Sequence, residues 1–201
     1  MQMPFNWFDV VVVGLLIFGF FRGRKRGMSE ELISVLMWLS IAIGCAFLYQ
    51  PIGALIVGSG TVFSDLAGYL MGYIAAALVI AVLFALLRKA VGSKLVSAET
   101  FGRSEFYLGM IAGMVRYTCI LIAALALLNA RSYNNSEIKA EIKYQNDVYG
   151  SNFFPTLFTV QSQVFERSLS GPMIKQYLGP LLIKPTTPEK KQVKRKELDI
   201  P

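Results

Sequence analysis

Apolar and polar residues are segregated along this chain in blocks rather than alternating. FNWFDVVVVGLLIFGFF (5–21), LISVLMWLSIAIGCAFLY (32–49), LAGYLMGYIAAALVIAVLFALL (66–87) and FYLGMIAGMVRYTCILIAALALL (106–128) are nearly free of charge. A helix needs about 20 mostly apolar residues, at about 1.5 Å rise each, to cross roughly 30 Å of hydrocarbon. The blocks therefore predict an all-α polytopic membrane protein with four transmembrane helices. The first block is a little short, the second extends past Pro51 into IGALIV, and the fourth carries Arg116 in its interior.

Beyond Arg131 the pattern changes. Ile138 and Ile142 give a short amphipathic turn, and Leu157, Phe158, Val160, Val164, Phe165 and Leu169 then recur at helical spacing among Gln161, Gln163, Glu166 and Arg167. This predicts an amphipathic C-terminal helical segment that Pro155 opens and Gly171-Pro172 ends. Being too polar to span, it is expected at the interface, as a lid over the bundle mouth, or packed on the spans with one face in solvent. MIKQYLGPLLIKP adds a short apolar contact. The organisation expected is a transmembrane domain over 1–131, an extramembrane amphipathic segment over 132–183 and a disordered basic tail over 184–201. The tail's Lys190–Lys196 cluster either attracts anionic headgroups or keeps the tail solvated.

Composition agrees with the blocks. Of 201 residues, 54% are hydrophobic and 16% charged, against about 25% charged in an ordinary soluble domain. The formal net charge of +7 has the sign of a nucleic-acid binder. The cations, however, flank the apolar runs, so the bilayer is the expected partner and nucleic acid is not. Their placement also orients the chain. Arg22, Arg24, Lys25 and Arg26 fill the first connection, and Arg88, Lys89, Lys94 and Arg103 the third; the second, from Gln50 to Asp65, has none. Cationic short loops stay in the cytoplasm, so both termini are expected on the non-cytoplasmic side. Arg131, Lys139 and Lys143 argue the other way but are fewer. The first run is not expected to be a cleaved signal peptide, because its cations follow the apolar core and no small-residue cleavage site adjoins it.

Little in the sequence points to catalysis. There is no histidine, which removes the commonest general base and a major metal ligand. Cys45 and Cys119 lie within predicted spans and read as small packing residues. No carboxylate cluster has metal-like spacing and no Gly-rich loop cradles a phosphate. Neither enzyme activity nor a cofactor or metal is expected, and Ser34 and Ser40 read as packing hydroxyls.

Arg116 is the most informative residue. It lies about 15 Å along its span from Phe106, and an arginine at that depth costs about 2.5–3.5 kcal/mol on insertion scales unless it finds a partner. Gly109 and Gly113 share its helical face and permit close approach of a neighbouring helix, so Arg116 is expected to point into the bundle. Asp9, the other ionisable residue within an apolar run, is the preferred partner; Glu31, Asn129 and freed carbonyls are alternatives. Such a pair either fixes helix packing or forms part of a pathway, gate or partner sensor. Ser29 is a candidate cap for the second span. Glu30 and Glu31 follow in its first turn, where negative charge offsets the helix dipole and pairs with Arg22–Arg26. Gly68 and Gly72 offer a further close-packing face.

Motifs in order along the chain add a resemblance. Trp7-Phe8-Asp9 opens the first span, Arg26-Gly27, Glu31, Ser34 and Trp38 mark the turn and the start of the second, and Glu105, Leu108, Gly109, Gly113 and Arg116 mark the fourth. This arrangement resembles the colicin V production protein family, departing from it where Phe106 stands for a basic residue and Tyr117 for a glycine. The resemblance implies a multi-pass protein of the bacterial inner membrane, linked to peptide-toxin production or export or to envelope homeostasis. The expected function is that of a non-enzymatic accessory protein with envelope protein partners. The alternative is a small channel or transporter with an Arg116/Asp9 pathway, working as a homo-oligomer because four helices enclose little space.

Overall fold

The computed structural model describes residues 5–58, 64–97, 101–150 and 156–186. Within them the chain is helical: α1 (Trp7–Gly58), α2 (Asp65–Ser97), α3 (Glu105–Asn129), α4 (Asn135–Tyr149), α5 (Leu157–Phe165) and α6 (Ser170–Leu178). Short 3-10 turns precede α3 and follow α6, and no strand occurs among the described residues beyond an isolated bridge between Arg131 and Thr186. Three helices are long and apolar enough to cross a membrane: α1, α2 over Asp65–Val91, and α3.

The first two apolar runs and the cations between them all fall within α1. The polar connection is itself helical, and the helix is interrupted at Gly27 alone, where φ is 74° and ψ 171°. That region of backbone space is essentially closed to residues with a Cβ. Gly27 thus divides α1 into a first arm (7–26) and a second arm (28–58), the latter running through Pro51. The arms double back on each other. Asn6 and Trp7 bond Gln163, Tyr49 accepts from the Lys184 amide, and Asn129 at the end of α3 donates to the Ile183 carbonyl. Both arms and the C-terminus of α3 therefore meet the 156–186 segment at one end of the bundle. Gly27 lies at the other, against the start of α3.

Two glycine seams set the spacing of the long helices. In the first, a Cβ added at Gly19 falls 2.8 Å from the Gly113 carbonyl oxygen, and one at Gly109 falls 2.6 Å from that of Gly23. Backbones in such contact gain dispersion and Cα–H···O contacts that larger side chains would prevent. In the second, a Cβ at Gly53 falls 2.9 Å from the Gly68 carbonyl oxygen and one at Gly72 falls 2.7 Å from that of Tyr49, joining α2 to the second arm. Tyr49 and Tyr69 pack edge to face across this seam, with ring centroids 5.6 Å apart. Between the seams lies an apolar core that includes Phe8, Ile41, Cys45, Tyr73, Leu125 and Ala126. The outward faces stay apolar: Val10, Val13, Ile17 and Phe21 on the first arm, and Leu78, Val79, Val82 and Leu86 on α2, are all more than half exposed. Apolar area of this extent is what a bilayer covers.

The C-terminal segment differs in detail from the sequence pattern. Gly171-Pro172 does not end a helix. It sits in the first turn of α6, where proline's missing N–H costs nothing, and the preceding helix has already stopped at Phe165. Thr156 caps α5, its Oγ1 accepting from the Thr159 amide at 3.2 Å; Pro155, the residue expected to open it, lies outside the described residues. Lys184–Thr186 are docked rather than loose. The Thr186 amide donates to the Ala130 carbonyl at 2.9 Å, and the Ser132 amide donates back to the Thr186 carbonyl at 3.0 Å. The rest of the expected tail, with Lys190–Lys196, lies outside the described residues.

Candidate functional site

The site forms where α1 breaks. One turn beyond Gly27, Glu31 is carried inward on the second arm and is 1% exposed. Arg116 reaches it from α3, its Nη1 lying 2.9 Å from Glu31 Oε2 and 3.2 Å from Oε1. Arg26, on the near side of the break, places its Nη1 3.4 Å from Oε1. One carboxylate therefore bridges two guanidiniums from three helical segments. Arg116 is 17% exposed and Arg26 30%, so the pair with Arg116 is the deeper. A carboxylate removed from water costs several kcal/mol unless it is paired and hydrogen-bonded, and here both oxygens are used.

Arg116 does not pair with Asp9, the partner preferred from the sequence. Asp9 is also buried, at 5%, but it belongs to the opposite end of the bundle. Its Oδ1 accepts from the Ser170 amide at 2.9 Å and from the Ser170 hydroxyl; its Oδ2 accepts from the Leu169 amide at 3.1 Å and the Asn6 amide at 2.9 Å. Those two C-terminal amides begin α6, so Asp9 acts as a capping carboxylate supplied from another helix. The arginine and the aspartate each find their partners locally, in different elements, although the Arg116 Nε is left without an acceptor among the described residues. Depth along a span cannot separate these options; the reach of Arg116 back along its own helix, toward the α1 break, decides between them.

The other residues singled out are accounted for as follows. Gly109 and Gly113 face Gly19, Gly23 and Gly27 and let α3 come close enough for Arg116 to reach Glu31. Ser34 is buried, one turn beyond Glu31 on the same arm, and Trp38 packs against the core. Ser29 is buried, but its hydroxyl makes no hydrogen bond among the described residues and does not cap the second arm. The break at Gly27, with helix on both sides, leaves it no cap position. Gly19 and Ser170 are among the residues of the site that have no counterpart in those singled out from the sequence. Gly19 and Gly23 stand four apart and lead to Gly27, a periodicity that was available to be read. Ser170 carries no local signal, because its partner lies 161 positions away.

Around the break, cations and aromatics stack. The Arg22 guanidinium carbon lies 6.0 Å from the Phe18 ring centroid, Arg116 lies 5.7 Å from that of Tyr117, and Phe18 and Tyr117 meet edge to face at 5.2 Å. Tyr117 thus fills the space beside the arginine. No group of three or more His, Cys, Asp or Glu side chains that could hold a metal occurs among the described residues, and the two cysteines are buried and free.

Apolar helices with lipid-facing sides, closed on glycine seams and joined inside by ion pairs, define an all-helical membrane protein. A model of the Colicin V production protein family matches residues 8–166, and the chain belongs to that family. The match spans both the break in α1 and Arg116. No curated protein and no solved structure matches the chain.

Proposed function

We propose that this protein is a non-enzymatic accessory component of the bacterial inner membrane that serves colicin V production, acting through envelope protein partners. Family membership supports the toxin link. One observation supports the accessory reading over a conducting one: the two carboxylates buried in the long helices among the described residues are consumed by internal partners at opposite ends of the bundle, Glu31 by Arg116 and Arg26, Asp9 by the start of α6. An Arg116/Asp9 pathway would need these groups to share a polar route, and this geometry gives that route no support.

In this reading each arm of α1 crosses the bilayer, making four spans with α2 and α3. The first arm, 7–26, is about 30 Å long at 1.5 Å per residue, the thickness of the hydrocarbon. The Gly27 turn, with Arg22, Arg24, Lys25 and Arg26, then sits on the cytoplasmic side. The α5–α6 segment covers the opposite mouth as a lid, with both termini outside the cytoplasm.

The test is complementation of a deletion strain, scored as colicin V release, with the purified protein assayed in parallel for flux in liposomes. Wild type is expected to restore release, to cross-link to other envelope proteins and to conduct nothing alone. Ion or peptide flux from the pure protein would overturn the accessory reading. Restored release by a chain that cross-links to no partner would overturn it equally.

A further inference from the structure

A cavity of about 990 Å³ opens on the outside of the bundle between the first arm of α1 and the beginning of α3. Its wall is aromatic, with Phe18, Phe21 and Tyr107, and one rim is cationic, with Arg22, Arg24 and Lys25. Phe21 and Tyr107 are 60% and 70% exposed, so they present apolar surface outward rather than filling the core. The rim cations are not neutralised: none of the three forms an ion pair with a carboxylate among the described residues, whereas Arg26 and Arg116 share Glu31. Arg22 is held in place by Phe18, yet its Nε is buried without a hydrogen-bond acceptor. A donor so placed lacks a partner that burial ordinarily demands.

An occupant of this groove must be apolar along most of its length and must carry concentrated negative charge at one end, with oxygens able to accept from guanidinium. A soluble anion would engage the rim alone and leave the aromatic wall unused, and a neutral lipid would leave three cations without a counter-charge. We propose that the groove is a binding site for one anionic phospholipid, its phosphate held by Arg22, Arg24 and Lys25 and an acyl chain lying along Phe18, Phe21 and Tyr107. The site differs from a general attraction of basic loops to the membrane surface, because it requires both the rim and the wall.

Native mass spectrometry of the detergent-purified full chain tests this, titrated with phosphatidylglycerol or with phosphatidylcholine of the same acyl chains. Wild type is expected to retain one phosphatidylglycerol in preference to phosphatidylcholine. Replacing the rim, Arg22→Gln with Arg24→Gln and Lys25→Gln, is expected to weaken phosphatidylglycerol retention roughly 100-fold, each cation near an anionic headgroup contributing about fivefold. Tyr107→Ala, an exposed position whose loss spares the fold, is expected to weaken both lipids. The control Arg88→Gln with Lys89→Gln removes cations from α2 outside the groove and is expected to change nothing. Equal loss in the rim variant and the control would show diffuse attraction and overturn the site. Displacement of the lipid by inorganic phosphate at matched concentration would show a soluble-anion site and overturn it too, as would equal retention of the two lipids by wild type.

Discussion

Glu31 and Arg116 hold opposite charges at depths where neither is stable alone. Replacing one leaves the other buried without its partner, which typically costs about 3–5 kcal/mol. Glu31→Gln and Arg116→Gln are each expected to destabilise the detergent-solubilised protein on that scale. The double variant should cost less than the sum, with a coupling of about 0.5–3 kcal/mol in a double-mutant cycle. Additive effects in a reversible unfolding titration would show that the 2.9 Å contact contributes no net pairing. Asp9→Asn keeps the shape and removes the charge at the start of α6. It is expected to cost about 1 kcal/mol, the usual scale for losing a cap, and to raise hydrogen exchange at 169–173 while α3 is unaffected. Unchanged exchange there would mean that the carboxylate is dispensable to docking.

At the scale of elements, the glycine seams govern which helices meet. Gly23→Ala drives a methyl into the backbone of Gly109, and neither backbone can move aside without opening the seam. An overpacking cost of about 1–3 kcal/mol is expected. Gly14→Ala, where an added Cβ meets nothing within 4 Å, is expected to be neutral or slightly stabilising through helix propensity. Equal effects of the two substitutions on thermal unfolding would refute the seam as the cause. Much of this layer could be read in advance. Apolar blocks located the long helices because a bilayer imposes a simple length and polarity requirement, and Gly109, Gly113, Gly68 and Gly72 were recognisable by their spacing. The break was less legible. A ten-residue polar interval between apolar runs looks like a loop, yet charged residues such as Arg24 and Lys25 have good helix propensity, so the backbone remained helical up to Gly27. Partner choice was illegible for a different reason: Asp9, the other ionisable residue within an apolar run, is favoured over Glu31 for Arg116 until the arms are seen to double back, and Asp9's true partner lies in a segment whose pattern describes only its own periodicity.

Across the whole molecule, the 156–186 segment ties both arms of α1 to α3 at one end, while the Glu31 cluster ties the same three segments at the other. Orientation in the membrane is a property of this scale. In a background lacking Cys45 and Cys119, Lys175→Cys is expected to react with a membrane-impermeant maleimide in intact spheroplasts. Lys89→Cys should react only after permeabilisation. The reverse pattern would invert the proposed topology and place the lid in the cytoplasm. The break at Gly27 has a mechanical meaning as well. Where a loop joins two helices, slack absorbs the displacement of either one; here a single non-helical residue stands between arms that are otherwise continuous. A sideways push on the first arm at the lid end, once it opened the glycine seam with α3, would therefore turn the arm about Gly27 like a lever on a pivot. The short end of that lever is Arg26, one residue from the pivot and bound to Glu31 on the other side.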